Sequence, residues 1–273
     1  MFFLNLSWRT SKIKIIPSPV FASIFGIEIY WYGVLITLGI LGCIFFASKI
    51  FKERNLKEDD LYDISMLTII FGIIGARIYH VLSTIDYYVI YPKEIFNFRA
   101  GGLGIYGAIA GGFLGVFLGS RIKKISLQEL INIGAIVIPF GQSIGRWGNF
   151  FNQELFGKPT NFFLKIYIEE EKRPYWHVDS EYFHPLFLYE SLACFLIFLL
   201  LFLSRKKNFN KSASLYLILY GFWRFFAEFL RDTQTPTFIF RLEQWVSLLS
   251  IFIGLYSFAF KFNKNERKRE KST

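Results

Sequence analysis

Apolar runs long enough to cross a ~30 Å hydrocarbon layer as helices of about 20 residues recur seven times, near 29–50, 62–84, 101–120, 129–148, 185–204, 213–231 and 242–262. This pattern predicts an all-α polytopic membrane protein with seven transmembrane helices. Between the runs lie short basic connections and one long polar segment, 149–184. The implied organisation is a single seven-span domain over 1–263, including the 149–184 loop, followed by a basic tail at 264–273.

Composition agrees. Of 273 residues, 53% are hydrophobic and 20% aromatic, with 34 Phe, which is too apolar for a soluble domain of this length. The first twenty residues lack a long apolar core and a small-residue cleavage site, so the expectation is no removable signal peptide and a first span that doubles as the insertion signal. Cys43 and Cys194 both fall within predicted spans and read as buried small side chains rather than a disulfide or metal pair.

Lysine and arginine in the connections set the orientation. The side holding Lys49–Lys57, Arg121–Lys124, Arg205–Lys211 and the tail is the more basic and is expected to be cytoplasmic. The N-terminus and the 149–184 loop then lie outside, and the C-terminus lies inside. The net charge of +10 is accounted for as a topology signal, and no nucleic-acid motif accompanies it. A solvated cytoplasmic end is the simplest reading of the tail, with contact to anionic lipid headgroups as the alternative.

With that orientation, the polar residues of every span gather at its outer end: Tyr30–Gly33, Gly75–His80, Gly101–Gly107, Gly145–Gly157, His184–Glu190, Tyr220–Arg231 and Arg241–Trp245. The inner halves, such as Leu192–Leu203, are apolar. This one-sidedness predicts a polar cavity open to the outer leaflet rather than a path across the membrane. Arg231 and Arg241 are read as snorkelling at span ends. Trp31, Trp223 and Trp245 are read as interfacial belt residues. Gly107, Gly111, Gly115 and Gly119 repeat every four residues and read as a close-packing face. Arg77, Arg146 and Arg224 sit beside other polar groups at membrane depth, where an ionisable residue points to function.

Several guanidiniums facing one cavity suit an anion, and arginine's fixed fork matches phosphate oxygens. A phospholipid headgroup is the nearest such anion. Glu154, Glu190 and Glu228 are placed to orient the arginines or to take part in proton transfer, and Glu228, four residues after Arg224, shares its helix face. No Walker loop, HExxH or CxxC occurs, and three histidines give no basis for a metal site.

The stretch Gly145–Gly157, GRWGNFFNQELFG, resembles the signature of the prolipoprotein diacylglyceryl transferase family, Gly-Arg-x-Gly-Asn-Phe-x-Asn-x-Glu-x-x-Gly, at every specified position. The segments YWYG, GARIYH, GGLGIYG, HPLFLYE and YGFWRFFAEFLR are similar to the family's and stand in the same order, so the resemblance covers nearly the whole chain. It implies a seven-span enzyme of the bacterial cytoplasmic (inner) membrane with its active site toward the outer leaflet. Such an enzyme moves the diacylglyceryl group of phosphatidylglycerol to the lipobox cysteine thiol of a preprolipoprotein, releasing glycerol 1-phosphate, as the first step of lipoprotein maturation. The implied partners are phosphatidylglycerol, lipobox peptides and membrane lipids. No cofactor is implied, and a monomer is expected.

By the same resemblance Arg146 contacts the lipid and Arg224 is its catalytic partner, while Tyr32, Asn149, Glu154, Tyr220 and Glu228 occupy positions important to the family. Arg77 and His184 join them as candidate substrate-binding residues. One departure stands in the third span: where many members carry a histidine, this chain has Tyr106. A phenol, with a reference pKa of ~10, is a poor base. Tyr106 is therefore a candidate hydrogen-bond donor to phosphate, and Glu154, His184 and the departing phosphate are the candidate proton acceptors. A lipid or solute transporter would need polar groups through the inner half or an inverted repeat. A glycerol-phosphate acyltransferase would take a soluble acceptor. The sequence shows neither feature of a transporter, and the Gly145–Gly157 match argues against the acyltransferase.

Overall fold

A computed structural model of the chain describes residues 14, 16–97, 101–232 and 240–270, with 261–270 described as backbone only. Six stretches are long and apolar enough to cross a membrane, and one of them, Leu186–Leu230, contains two helices. The chain is a predominantly helical, multi-pass membrane protein. Its long helices are α1 (Trp31–Glu53), α2 (Glu58–Ser83), α4 (Ile105–Lys123), α5 (Leu127–Asn152), α6 (Leu186–Asn208), α7 (Ser212–Leu230) and α8 (Leu242–Glu270), with a short α3 at Ile85–Ile90.

The helices follow the predicted apolar runs, with three differences. Residues 27–30, expected to open the first span, form strand β2 (Ile27–Tyr30), paired antiparallel with β1 (Val20–Ile24) across a turn in which Phe25 and Gly26 have positive φ. The signature was expected to leave the membrane at 148, but α5 continues to Asn152. The basic tail was expected from 264. The backbone remains helical to Glu270, and its end lies outside the described residues.

The chain divides into two compact units. In the unit spanning 44–134, α2 packs on α4 through the predicted glycine face. A Cβ on Gly107 would lie 2.1 Å from the Gly75 carbonyl oxygen, and one on Gly111 2.0 Å from that of Phe71. These glycines let the two backbones touch, which a side chain would prevent. At the other end of this pair Lys123 of α4 reaches Asp60 at 3.0 Å and also pairs with Asp63, both on the acidic first turns of α2.

In the other unit, 1–43 with 135–273, α1 meets α5 through glycines: a Cβ on Gly39 would sit 3.2 Å from the Gly141 carbonyl oxygen. The 149–184 connection is folded. Strands β3 (Ile166–Tyr167) and β4 (Tyr182–Phe183) pair antiparallel. Ile166, Ile168 and Phe183 bury against Phe187 at the start of α6. Arg173 donates to the carbonyls of Ile168 (2.9 Å) and Val178 (2.8 Å), and the Trp176 indole donates to Asp232 just past α7 (2.9 Å).

Candidate active site

Spacing on α5 and α7 gathers the polar residues of the second unit. Gln142, Arg146 and Asn149 recur at four and three residues on α5, and Tyr216, Tyr220, Arg224 and Glu228 recur every four residues on α7, so each set forms one stripe. From α6, the carboxylate of Glu190, 2% exposed, stands between the stripes. Its Oε2 lies 2.7 Å from Arg146 Nε, and its Oε1 accepts from Arg224 Nη1 at 3.0 Å.

Arg224 continues the chain of charges. Its Nη2 is 3.2 Å from Oε2 of Glu228, forming the i,i+4 pair that the sequence spacing allowed. Glu228 is 1% exposed and also meets Arg241 Nη1 at 3.2 Å and Arg231 Nη1 at 3.7 Å. Arg241 Nη1 further donates to the backbone carbonyls of Glu228 and Arg231, each at 3.0 Å, tying the segment before α8 to the end of α7. Four arginines are thus held by two buried carboxylates among the described residues. The cluster carries an excess of positive charge in a site largely withdrawn from water.

A second layer supports it. The Tyr216 hydroxyl donates to Gln142 Oε1 at 3.1 Å, and the Tyr216 ring stacks on Tyr220 at 5.5 Å and 16°. Tyr220 lies beside Arg146. Two of the signature's glycines, Gly148 and Gly157, have packing reasons, whereas a Cβ on Gly145 would meet nothing within 4 Å. A Cβ on Gly148 would lie 2.5 Å from the ring of Tyr32 on α1, and one on Gly157 2.6 Å from the Leu230 carbonyl oxygen.

The family model for prolipoprotein diacylglyceryl transferase matches residues 19–260. The chain belongs to this family. It is 42% identical over 236 residues to the Finegoldia magna protein named phosphatidylglycerol–prolipoprotein diacylglyceryl transferase, covering 85% of this chain and 91% of that protein. Proteins of the same name from Fervidobacterium nodosum (39% over 246 residues, 88% and 84% coverage) and Clostridioides difficile (37% over 246 residues, 89% and 95%) are similar over comparable lengths.

The other family-implied residues are distributed as follows. Asn149 and Asn152 each turn a side-chain amide toward the exposed carboxylate of Glu154 at 3.4 Å. Of the three glutamates expected to orient arginines or to take part in proton transfer, Glu190 and Glu228 pair with arginines; Glu154 makes no ion pair with an arginine among the described residues. His184 faces Tyr189, its Nδ1 3.3 Å from the hydroxyl, and its backbone anchors the entry to the loop through Gly157 and Lys158. In the 44–134 unit, Tyr106 is 63% exposed at the start of α4, with its ring 5.7 Å from Tyr79. Arg77 in that unit is buried and directed at backbone carbonyls.

Arg231 and Arg241 do more than snorkel, since both reach Glu228. The Arg231 contact was readable from its i,i+3 spacing to Glu228. The Arg241 contact has no local signal, because it depends on how the chain returns from α7 to α8. Outside the membrane-spanning helices, the Lys14 ammonium bonds Glu181 at 2.8 Å, and this bond raises its pKa above the usual lysine value.

Proposed function

We infer that this chain transfers the diacylglyceryl group of phosphatidylglycerol to the lipobox cysteine of a preprolipoprotein, forming a thioether and releasing glycerol 1-phosphate. The observation that carries this reading is the excess of arginine over glutamate around Glu190 and Glu228. Buried charge needs a counter-charge, and an anionic phosphodiester supplies one. The thiolate sulfur attacks the glyceryl carbon bonded to the phosphate oxygen. The carbon–oxygen bond breaks, and its electron pair leaves on the phosphate, whose negative charge therefore grows along the reaction.

Arg146 and Arg224 meet that growing charge from positions already fixed by Glu190, so little reorganisation is needed at the moment of reaction. Glu190 and Glu228 are engaged by guanidiniums and serve as positioning groups. Glu154, met by amides only, is the acceptor we assign for the thiol proton. Tyr220, Asn149 and Tyr32 complete the lipid pocket, with His184 and Tyr106 as further candidate substrate contacts. A thiol of reference pKa ~8.5 is largely protonated at neutral pH, so thiolate formation is part of the catalytic task.

The chain from 1 to 263 works in this reading as one seven-span transferase domain of the bacterial inner membrane. Its active site faces the outer leaflet, its N-terminus lies outside and its C-terminus is cytoplasmic. The separation of Leu186–Leu230 into two helices and the basic connections support this arrangement. The protein acts as a monomer, without a cofactor, on membrane lipid and lipobox peptide.

The test uses purified full-length protein, phosphatidylglycerol and a single-cysteine lipobox peptide, followed by mass spectrometry beside Arg146→Ala. A diacylglyceryl mass gain on the cysteine, with glycerol phosphate released and both lost in the variant, is expected. A folded, lipid-binding preparation that forms no adduct would overturn the assignment.

A further inference from the structure

Arg77 stands on α2 among backbone carbonyls. Nε donates to Ile95 O at 2.8 Å, Nη1 to Gly101 O at 2.8 Å and Gly102 O at 3.1 Å, and Nη2 to Glu94 O and to Asn97 O at 3.2 Å. A guanidinium has five N–H donors, and these five carbonyls match them. The residue is 5% exposed, and the Tyr88 ring lies 5.4 Å from its Cζ. A group arranged in this way is the hub of a loop, with its hydrogen-bonding capacity directed at the chain itself.

The carbonyls come from two stretches that need such a hub. Ile95 and Asn97 lie at the end of the 3-10 turn Pro92–Phe96, where helical carbonyls run short of onward backbone partners, and Glu94 O accepts from the Asn97 N–H at 3.0 Å as well as from Arg77. Gly101 and Gly102 have φ of +84° and +73°, a left-handed conformation that turns their carbonyls inward. A Cβ on Gly102 would meet the His80 ring at 2.5 Å and Arg77 Nη1 at 2.8 Å. Two residues on, the Gly104 N–H donates to the Ala76 carbonyl at 3.0 Å, beside Arg77 in sequence, and Gly104 O accepts from Ala108 to open α4. Tyr106 lies in that first turn, against Tyr79 of α2. Residues 76–80 thus fix where α4 begins and where Tyr106 stands.

On the transferase reading above, we propose that Arg77 is a positioning residue that acts through Gly101–Tyr106, and that it is not a ligand of the lipid phosphate. The distinction lies in what a lysine can replace. An ammonium keeps the charge a phosphate would require, but it offers three donors from a single point and cannot hold carbonyls arrayed around a planar fork.

Arg77→Lys, Arg77→Ala and Gly102→Ala are therefore compared in the full-length protein. For each, kcat and KM for phosphatidylglycerol are measured, together with hydrogen exchange of peptides covering 101–108. Both Arg77 variants are expected to lose about tenfold or more in kcat, as displaced catalytic groups do, with lipid KM unchanged. Exchange at Gly104 and Ala108 should rise in both. Gly102→Ala, which strains the same hub from the opposite side while keeping Arg77, should reproduce the pattern, and it decides the matter if the Arg77 variants fail to accumulate. A near-normal Arg77→Lys beside an Arg77→Ala with raised lipid KM and unchanged exchange would overturn the proposal. The exchange measurement needs no turnover, so it tests the hub even if the wild-type protein transfers no diacylglyceryl group.

Discussion

Arg146 of α5 and Arg224 of α7 share one carboxylate: Glu190 places Oε2 2.7 Å from the first and Oε1 3.0 Å from the second. Two guanidiniums held this way repel each other less and keep a fixed separation, while each retains donors for an incoming anion. Glu190 thereby sets the spacing of the two residues assigned to the phosphate.

Glu190→Gln keeps the side chain's shape and removes the charge. Arg146 and Arg224 then face each other unscreened, and the expected result is a fall in single-turnover transfer of about 10²-fold, similar to the loss of one preorganised electrostatic contact. Glu190→Ala should also lower thermal stability, since removing one partner from a buried ion pair costs about 3–5 kcal/mol. Unchanged turnover in Glu190→Gln would remove Glu190 from the site.

Arg241 uses a single nitrogen to reach the Glu228 carboxylate and two backbone carbonyls. A lysine ammonium can serve three such acceptors, so Arg241→Lys is expected to keep most activity. Arg241→Met leaves Glu228 with fewer counter-charges and should reduce both transfer and melting temperature. Assaying the two side by side separates the need for charge at this point from the need for a planar fork, in direct contrast to Arg77.

The glycine face of α4 can be tested one position at a time. Gly111→Ala drives a Cβ to 2.0 Å from the Phe71 carbonyl oxygen and should force α2 and α4 apart, lowering stability. Gly112→Ala, whose nearest neighbour would be Thr68 Cγ2 at 3.7 Å, should stay within about 1 kcal/mol of wild type because alanine is the better helix former. Thermal denaturation of both in detergent checks the pair.

Phe183, fully buried at the centre of the loop's small core, should cost about 3–5 kcal/mol when cut to alanine. The loss is expected to appear locally, as faster tryptic cleavage at Lys172, before the helices melt. Equal cleavage rates in wild type and Phe183→Ala would show that the loop is held by other contacts.

The helices were largely legible because apolar length and helical periodicity are local properties. The signature residues Arg146 and Asn149 were legible for the same reason, as was the Arg224–Glu228 pair, whose members lie one turn apart. The β1–β2 hairpin was missed because its strands are as apolar as the span that follows, and hydropathy does not distinguish them. Arg241 was missed as a partner of Glu228 because it comes from a separate segment, thirteen residues on.

The sequence by itself determined the class of the molecule, its candidate spans and the residue types available at their outer ends, because membrane insertion depends on runs of consecutive side chains. Only the tertiary structure decided which carboxylate holds which arginine. It joined Glu190 to Arg146 and Arg224, 44 and 34 residues away, and turned Arg77 toward backbone carbonyls. A charge in a low-dielectric interior is stabilised by whatever partner the fold brings within hydrogen-bonding distance, and for groups far apart in the chain that distance is a property of packing.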